Sequence, residues 1–557
     1  MNMKKIEIKV LLFNCLLFWI LQLVGVEREG TYLFALSLIS VILLIAKDKV
    51  RLNDLCLYSM LFQIVAFFIL RLFRIAKQSN MFDVEVNKII ILQALVIVVL
   101  FGAVFTLNKR SVKYVQSKKV NLAYIIMAIA FLIRELMCYI GTCSNLQNDV
   151  GVFTKNNDGH LGYIYQFFKY MSLPKGSPEG HYQFYHPPLH HFISGIWAKI
   201  NSFLGVKEAD IPEMIQVLSL FYSMMIVILA YKIMREITKN KRSLLVGTIL
   251  VSFFPYLIEY SGSVNNDPLC FVLSLMAVLY FIRWYRKSTY KNIILCAVCL
   301  GCAMMTKMTA AMLAPPMAIM FIYKLIDNKT KLLKLIKQYI VFGVISIPLG
   351  MWFPIKNTIL YKMPLNYVLE VPKKSIYDLS GQYSVWNRLF GFSLDQFQTL
   401  YMTVDKGAKS YVTNIGIAVT KSATIGETEY FSKSAYAGIL ETWMYRALLV
   451  VCILAIVSLV YWFIKYKRNS AIKVYLLLTV LIGLASYVSF QFAYPATSSM
   501  SVRYLITIIV IQIGIIGASV EFWNGVIGKI LTKILKVFLI FYAAVMAVGT
   551  ISLLYRI

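Results

Sequence analysis

The chain has 557 residues, of which 59% are hydrophobic and only 15% are charged, and its mean hydropathy is +0.70. These values exclude an ordinary soluble globular enzyme and indicate a polytopic membrane protein. The net charge of +30 does not indicate a nucleic-acid partner, because the basic residues lie in short clusters between apolar runs, as in loops that face anionic lipid.

Apolar runs close to the roughly 20 residues that a membrane span requires predict about fifteen spans. Their ranges are 8–26, 31–46, 53–70, 89–106, 121–141, 212–234, 242–258, 268–283, 292–306, 309–326, 338–354, 447–464, 473–491, 504–520 and 535–554. The sequence therefore predicts an all-α protein. We divide it into an N-terminal transmembrane bundle (1–120), a transmembrane core (121–354) with a first external loop (142–211), a large external loop region (355–446) and C-terminal transmembrane helices (447–557).

Clusters of lysine and arginine decide the orientation of the spans, because cytoplasmic loops carry an excess of these residues. Such clusters precede the first span, follow the second and fourth, and recur at 239–242, 283–291, 329–337 and 465–473. The fifth span then brings the loop 142–211 to the non-cytoplasmic face. Because successive spans alternate in direction, the same face also receives the turn at 261–268, Lys307, the region 355–446 and Arg503. We expect one functional site there.

The segment from Asp149 to His191 contains every histidine of the chain: His160, His181, His186, His190 and His191. A site would explain this concentration, although polar residues of any membrane protein tend to fall in loops. Asp158 precedes an amphipathic pattern that predicts a surface helix, with apolar residues at helical spacing. Its carboxylate could therefore cap that helix or take part in chemistry.

A second surface helix is predicted after Pro187 and Pro188, because proline favours the first helical positions. His186 lies just before it, where an anion could meet free backbone N–H groups. A zinc site made of His186, His190 and His191 is an alternative. It would require His186 to lie on the helix with His190, which the two prolines disfavour.

Three further positions carry charge where the chain is otherwise apolar. Asp267 follows Asn266 at a predicted helix start, so it could cap that helix or bind a sugar or a metal ion. Lys307 lies in an apolar run, where a lysine requires a partner or a function. An anionic ligand at the outer face could be the partner of Lys307. Arg503, at the end of a span, could bind such a ligand too, or could simply extend its side chain to the interface.

These residues resemble the glycosyltransferase C superfamily, especially the bacterial relatives of lipid A aminoarabinose transferases and protein O-mannosyltransferases. In that group the first external loop opens with Asp-Glu and closes with a Pro-Pro-Leu surface helix. Here Asp158 takes the place of the catalytic aspartate, and Pro187, Pro188 and Leu189 begin the helix.

The later family motifs are similar to the turn that ends at Asp267, to Thr306–Lys307 and to Arg503–Tyr504, and the resemblance covers roughly residues 121–555. Two positions depart from the family pattern. Gly159 replaces the second acidic residue, for which Asp149 could substitute, and His186 stands where a lysine is often found.

The resemblance implies a catalytic core of the eleven later spans, four extra N-terminal spans, two external surface helices and a large external loop. It also implies an enzyme of the cell membrane that moves a hexosyl or pentosyl group from a polyprenyl-phosphate donor to a hydroxyl of a protein, lipid or glycan on the non-cytoplasmic face. We expect no nucleic-acid partner.

The implied chemistry is direct displacement, with a carboxylate as general base and cations on the departing phosphate. The implied roles are catalysis by Asp158 or Asp149, phosphate binding by His186, Lys307 and Arg503, sugar or metal binding by Asp267 and Asn266, and acceptor contact by Glu427. A divalent cation near Asp149 and Asp267 is the alternative to an all-protein phosphate site. Aromatic residues of the region 355–446, such as Tyr367, offer surfaces for sugars.

Two other functions fit the same composition. A transporter or flippase of lipid-linked sugars should carry its polar residues at the bilayer midplane in broken helices, whereas here the titratable residues favour one face. A noncatalytic polysaccharide-assembly protein would retain the spans and could lose Asp158 without effect.

Overall fold

The computed structural model describes residues 122–141, 143, 149–155, 157–203, 205–327, 330, 332–369, 378–381, 383–398, 412–425, 435–464, 470–526 and 528–553. The four predicted N-terminal spans and the candidate acceptor residue Glu427 lie outside the described residues. Within those ranges the regular elements are α-helices and short 3-10 helices, and the one β-bridge joins Asp378 to Ala496. The prediction of an all-α protein is therefore confirmed.

The helices of the first half are α1 Leu122–Ile140, α2 His160–Tyr170, α3 Leu189–Phe203, α4 Ile211–Ile237, α5 Lys241–Ser252, α6 Pro255–Glu259, α7 Asp267–Arg286, α8 Tyr290–Met304 and α9 Ala314–Asp327. Those of the second half are α10 Leu332–Tyr361, α11 Val385–Leu389, α12 Leu394–Gln398, α13 Ile415–Ile425, α14 Ala435–Ile464, α15 Ser470–Ala493, α16 Ile506–Val526 and α17 Gly528–Leu553. Each of the eleven spans predicted from residue 121 onward coincides with a helix or with a pair of helices.

The described helices are those of a multi-pass membrane protein. Eight of them are long and apolar enough to cross a membrane, and the pair α5 and α6, bent by 62°, would be a ninth. Helix α8 is apolar but shorter. Helix α1 carries Arg134, whose guanidinium is buried and donates to the Ser223 hydroxyl of α4 and to the Ser252 carbonyl at the end of α5. These bonds attach α1 to the rest of the bundle.

Local sequence explains where several helices begin. Proline at the first turn starts α4 and α7, where its missing N–H and fixed φ are no disadvantage. The Asn240 side chain caps α5 by accepting from the backbone N–H groups of Arg242 and Ser243, and the Thr289 hydroxyl caps α8. The predicted break near Lys307 is present, because α8 ends at Met304 and a 3-10 helix follows from Met308.

The two predicted surface helices, α2 and α3, pack against each other very closely. A Cβ added at Gly195 of α3 would lie only 2.5 Å from the Cβ of Phe167 on α2. Beneath them Leu161, Ile164 and Phe168 form a small apolar core that is separate from the main core of the bundle. The opposite side of α3 exposes Phe192, Ile196, Ile200 and Phe203. An apolar stripe of this kind is typical of a helix that lies in a membrane interface.

Candidate functional site

Two candidate carboxylates are held on one tightly folded stretch of backbone. Asp149 has a φ of +66°, in the left-handed region, and the backbone N–H groups of His160 and Leu161 donate to the carbonyls of Asp149 and Val150. The segment that contains Asp149 therefore lies directly against the start of α2, next to Asp158. This contact unites two parts of the loop that the sequence alone does not connect.

Gly159 is required at the centre of this contact. Its φ is +102°, and a Cβ added there would lie 2.8 Å from the Gly151 Cα and 2.8 Å from the Gly151 nitrogen. Both obstacles are backbone atoms, so they cannot rotate away. The structure thus gives a physical reason why this chain has glycine where the resembled family has a second acidic residue.

Replacing Gly159 by glutamate would match the pattern of the resembled family, yet we expect it to abolish the sugar transfer that the resemblance implies. A side chain at this φ and in this space should destabilise the loop by at least about 2 kcal/mol. The measurement is sugar transfer together with limited proteolysis of the loop, and Gly176→Glu is the control, since Gly176 also has a positive φ but nothing within 4 Å. Higher activity in Gly159→Glu would contradict this account.

Asp158 does not cap α2. The residue at the helix N-cap is Gly159, and no side chain caps the helix. Instead, the Asp158 carboxylate accepts a hydrogen bond from the Tyr182 backbone N–H at 3.2 Å and lies 3.0 Å from Nδ1 of His181. Its side chain is 42% exposed, so it remains open to a substrate.

A buried ion pair joins the Asp267 and Lys307 turns. Lys307 Nζ lies 2.6 Å from Asp267 Oδ1, and the two side chains are only 7% and 2% exposed. The Asn266 amide donates to the Thr306 carbonyl at 3.2 Å and so ties the same two turns together. Asp267 Oδ2 has no hydrogen-bond partner among the described residues. The predicted meeting of Asn266, Asp267 and Lys307 is therefore present in the structure.

Arg503 approaches the same pair through Tyr504. Lys307 Nζ lies 5.3 Å from the centre of the Tyr504 ring, and Arg503 donates to the Tyr504 hydroxyl at 3.0 Å. On its other side, the Arg503 guanidinium lies 3.8 Å from the Asp149 carboxylate. The structure thus connects Asp149, rather than Asp158, to the cationic side chains. We call Asp149, Asp267, Lys307, Arg503 and Tyr504 the charged cluster.

His186 lies beside the charged cluster as a neutral group. Burial, with Lys307, His191 and Arg503 as neighbouring groups, holds its pKa well below the usual range for histidine. Its imidazole can therefore exchange hydrogen bonds with a ligand but contributes no positive charge at neutral pH. The backbone N–H of Leu189, three residues further on, donates to the Met305 carbonyl and fixes this segment to the Lys307 turn.

The other buried histidines form part of the packing between α2 and α3. His160 Nδ1 and His191 Nε2 are 3.0 Å apart, and the His191 ring stacks on Tyr163 at 4.2 Å between ring centres. Burial lowers the pKa of His160, His190 and His191, and that of His190 falls to about 3. Among the residues that the structure describes, no three His, Cys, Asp or Glu side chains are grouped to hold a metal ion. The zinc alternative thus has no support there.

Acidification should weaken the packing of α2 on α3. Folding lowers the pKa of these histidines, so the unfolded protein binds more protons than the folded protein below the ordinary histidine pKa of about 6.5. The free energy of unfolding therefore falls by about 1.4 kcal/mol per histidine for each pH unit below that value. Hydrogen exchange of α2 amides, corrected for intrinsic rates, should therefore show lower protection at pH 5 than at pH 7.5. Equal protection, or protection that rises on acidification, would contradict the buried neutral state of these histidines.

Several contacts of this region were not predicted from the sequence. They are the contact of His181 with Asp158, the contact of Asp149 with Arg503, and the contact of Tyr367, from the region 355–446, with Gly180. The Tyr367 hydroxyl accepts a hydrogen bond from the Gly180 backbone N–H at 3.2 Å. Hydropathy and charge patterns do not contain this information, because the first contact depends on how one loop folds and the other two join segments distant in sequence.

Comparison with known proteins gives one match to a protein family. Residues 185–352 match the family described as dolichyl-phosphate-mannose-protein mannosyltransferase. The matched segment is less than a third of the chain; it includes His186, Asp267 and Lys307, begins after Asp158 and ends before Arg503. A search of curated proteins gave no match.

Solved structures show only distant similarity. The oligosaccharyltransferase of Archaeoglobus fulgidus, tethered with an acceptor peptide, is 11% identical with a TM-score of 0.46, over 78% of this chain. This chain spans only 55% of that chain. ArnT from Cupriavidus metallidurans, bound to undecaprenyl phosphate, is 11% identical with a TM-score of 0.33, over 71% of this chain and 77% of its own. TM-scores below 0.5 do not establish a shared fold. The family match confirms, over residues 185–352, the predicted resemblance to membrane glycosyltransferases of the C superfamily.

Proposed function

We propose that the protein is a glycosyltransferase that moves a sugar from a polyprenyl-phosphate donor to an acceptor hydroxyl on the non-cytoplasmic face of the membrane. The observation that carries this proposal is the charged cluster, in which the buried Lys307–Asp267 pair lies beside Arg503 and Asp149. A multi-pass protein suits a substrate that arrives within the bilayer.

Lys307 and Arg503 are the groups that bind the donor phosphate in this proposal. As the bond from the sugar to the phosphate breaks, negative charge grows on the phosphate oxygens, and fixed cations in a site with little water stabilise that charge strongly. Asp267 holds Lys307 at 2.6 Å, so its ammonium is positioned before the donor binds. Arg503 is 3.8 Å from Asp149, beyond hydrogen-bonding distance, so a phosphate can compete with Asp149 for the guanidinium. His186 adds a neutral hydrogen-bonding group.

The acceptor side of the site is centred on Asp158. A general base near the acceptor hydroxyl contributes about 10² to 10⁴ in rate. Asp158 suits this function because it is partly exposed and held in place by the Tyr182 N–H. The non-cytoplasmic face is inferred from the basic clusters of the sequence. The family match between residues 185 and 352 supports the reaction class.

The test uses the purified full-length protein in lipid nanodiscs with a panel of radiolabelled polyprenyl-phosphate sugars and a membrane extract as acceptor. We expect one donor to be consumed, with its label transferred to the acceptor. Reconstituted vesicles test the rival function, since a flippase would move intact donor across the bilayer. Flipping without consumption of any donor would overturn the proposal in favour of transport.

A further inference from the structure

His181 differs from the other histidines in its surroundings. All five histidines lie within the described residues; His160, His190 and His191 are buried, His186 is partly buried, and His181 is exposed, with 54% of its side chain accessible. Its position in the sequence, inside a loop rich in histidine, gives no hint of this difference. The question is what an exposed imidazole does beside the Asp158 carboxylate.

The contact between the two side chains fixes which nitrogen carries a proton. His181 Nδ1 lies 3.0 Å from Asp158 Oδ1, and an ionised carboxylate can only accept hydrogen bonds, so Nδ1 is the donor. Nε2 of a neutral imidazole then carries the lone pair. Within the part of the chain that the structure describes, the His181 side chain makes contacts through Nδ1 and through its ring face, and none through Nε2.

The surrounding loop holds this arrangement in place. Asp158 Oδ2 accepts from the backbone N–H of Tyr182, the residue that follows His181, so adjacent residues engage both carboxylate oxygens. The His181 backbone N–H donates to the Pro178 carbonyl, and its ring stacks on Phe184 with 5.9 Å between ring centres. The imidazole is thus oriented by a carboxylate, which is the arrangement that makes histidine an effective base.

We propose that His181, held by Asp158, accepts the proton of the acceptor hydroxyl; this inference rests on the proposed function. The acceptor oxygen forms a bond to the anomeric carbon while the bond from that carbon to the phosphate oxygen breaks. The phosphate leaves with the bonding electron pair as polyprenyl phosphate. The hydroxyl proton moves to His181 Nε2, Asp158 stabilises the resulting imidazolium, and the proton then passes to water.

In this assignment His181 is the second titratable side chain beside Asp158, at the site where the resembled family has an acidic residue and this chain has Gly159. The backbone at Gly159 leaves no space for an acidic side chain, whereas His181 reaches Asp158 from across the loop. The competing explanation is that the pair is an exposed ionic contact that merely holds the loop, and such contacts contribute little to stability. The two explanations predict different kinetics.

The experiment measures kcat, donor KM and the pH–rate profile of the full-length protein and of His181→Asn, Asp158→Asn and the double variant. We expect His181→Asn to lower kcat by about 10²-fold or more while donor KM changes less than threefold. We also expect the double variant to be no worse than the poorer single variant, because residues that act as one unit are not additive. The pH–rate profile of the residual activity of His181→Asn should differ from that of the parent, because the group that accepts the proton is no longer an imidazole.

Tyr182→Phe in the same turn controls for disturbance of the loop, and added imidazole should restore part of the activity of His181→Ala. A His181→Asn enzyme with at least a third of the parent kcat, beside an inactive Asp158→Asn, would overturn the assignment and leave Asp158 as the sole base. Failure of the proposed function would look different, because then the parent protein itself would transfer no sugar from any donor.

Discussion

Lys307→Ala is expected to lower sugar transfer by about 10² to 10³-fold, the scale of losing one preorganised charge-stabilising group. The same variant should also be less stable. Removing the lysine leaves the Asp267 carboxylate buried without its 2.6 Å partner, and breaking a buried pair from one side costs about 3–5 kcal/mol. Loss of activity in this variant alone would therefore not distinguish phosphate binding from folding.

The double variant Lys307→Met/Asp267→Asn separates the two effects. It removes both charges together, so it leaves no unpaired buried ion and should recover most of the lost stability. We expect it to remain inactive and to bind undecaprenyl phosphate weakly, as measured by thermal shift and by kcat. Recovery of turnover to within tenfold of the parent would contradict the assignment of Lys307 to the donor phosphate.

Lys324→Met is the matched control for loss of a buried lysine. Lys324 lies on α9, donates to the Tyr285 carbonyl and has its Nζ 4.3 Å from the centre of the Tyr285 ring. It belongs to the helix packing and not to the charged cluster. We expect this variant to lose stability without a selective loss of phosphate binding, which would separate the role of Lys307 from that of buried lysines in general.

The helices were predictable because membrane insertion is decided by local composition. Each apolar run must satisfy its own backbone hydrogen bonds, so length and hydropathy are enough to locate a span. The break near Lys307 followed from the apolar run 292–326, which has basic residues at both ends and is too long for one span. The parity of the spans placed Lys307 and Asp267 at the same face of the membrane, but the ion pair between them was not predicted.

The loop geometry could not be predicted in the same way. The positive φ of Asp149 and the close contact of Gly151 with Gly159 depend on tertiary packing. The histidines show the limit most clearly. A buried, neutral His191 and an exposed His181 have the same residue type and lie in the same polar segment, and only the position of α2 against α3 separates them.

Asp158→Asn and Asp149→Asn should fail in different ways, which makes them the second decisive comparison. An asparagine at 158 can still accept from the Tyr182 N–H, so the loop should keep its shape. We expect kcat to fall by about 10² to 10⁴-fold, the contribution of a general base, because the variant removes the carboxylate that orients His181, with donor KM nearly unchanged. Glu179→Gln, another acidic position of the same loop, is the control and should retain full activity.

Asp149→Asn should instead act on the donor. Asp149 faces Arg503 at 3.8 Å and competes with the phosphate for that guanidinium. Removing its charge should tighten binding of the donor and of the released polyprenyl phosphate by roughly 3- to 10-fold, as expected for one partly exposed charge pair. Product inhibition should rise accordingly, and the chemical step in single-turnover experiments should change little. If Asp149→Asn abolished the chemical step while Asp158→Asn did not, the two roles would have to be exchanged, and His181 would lose its proposed function with them.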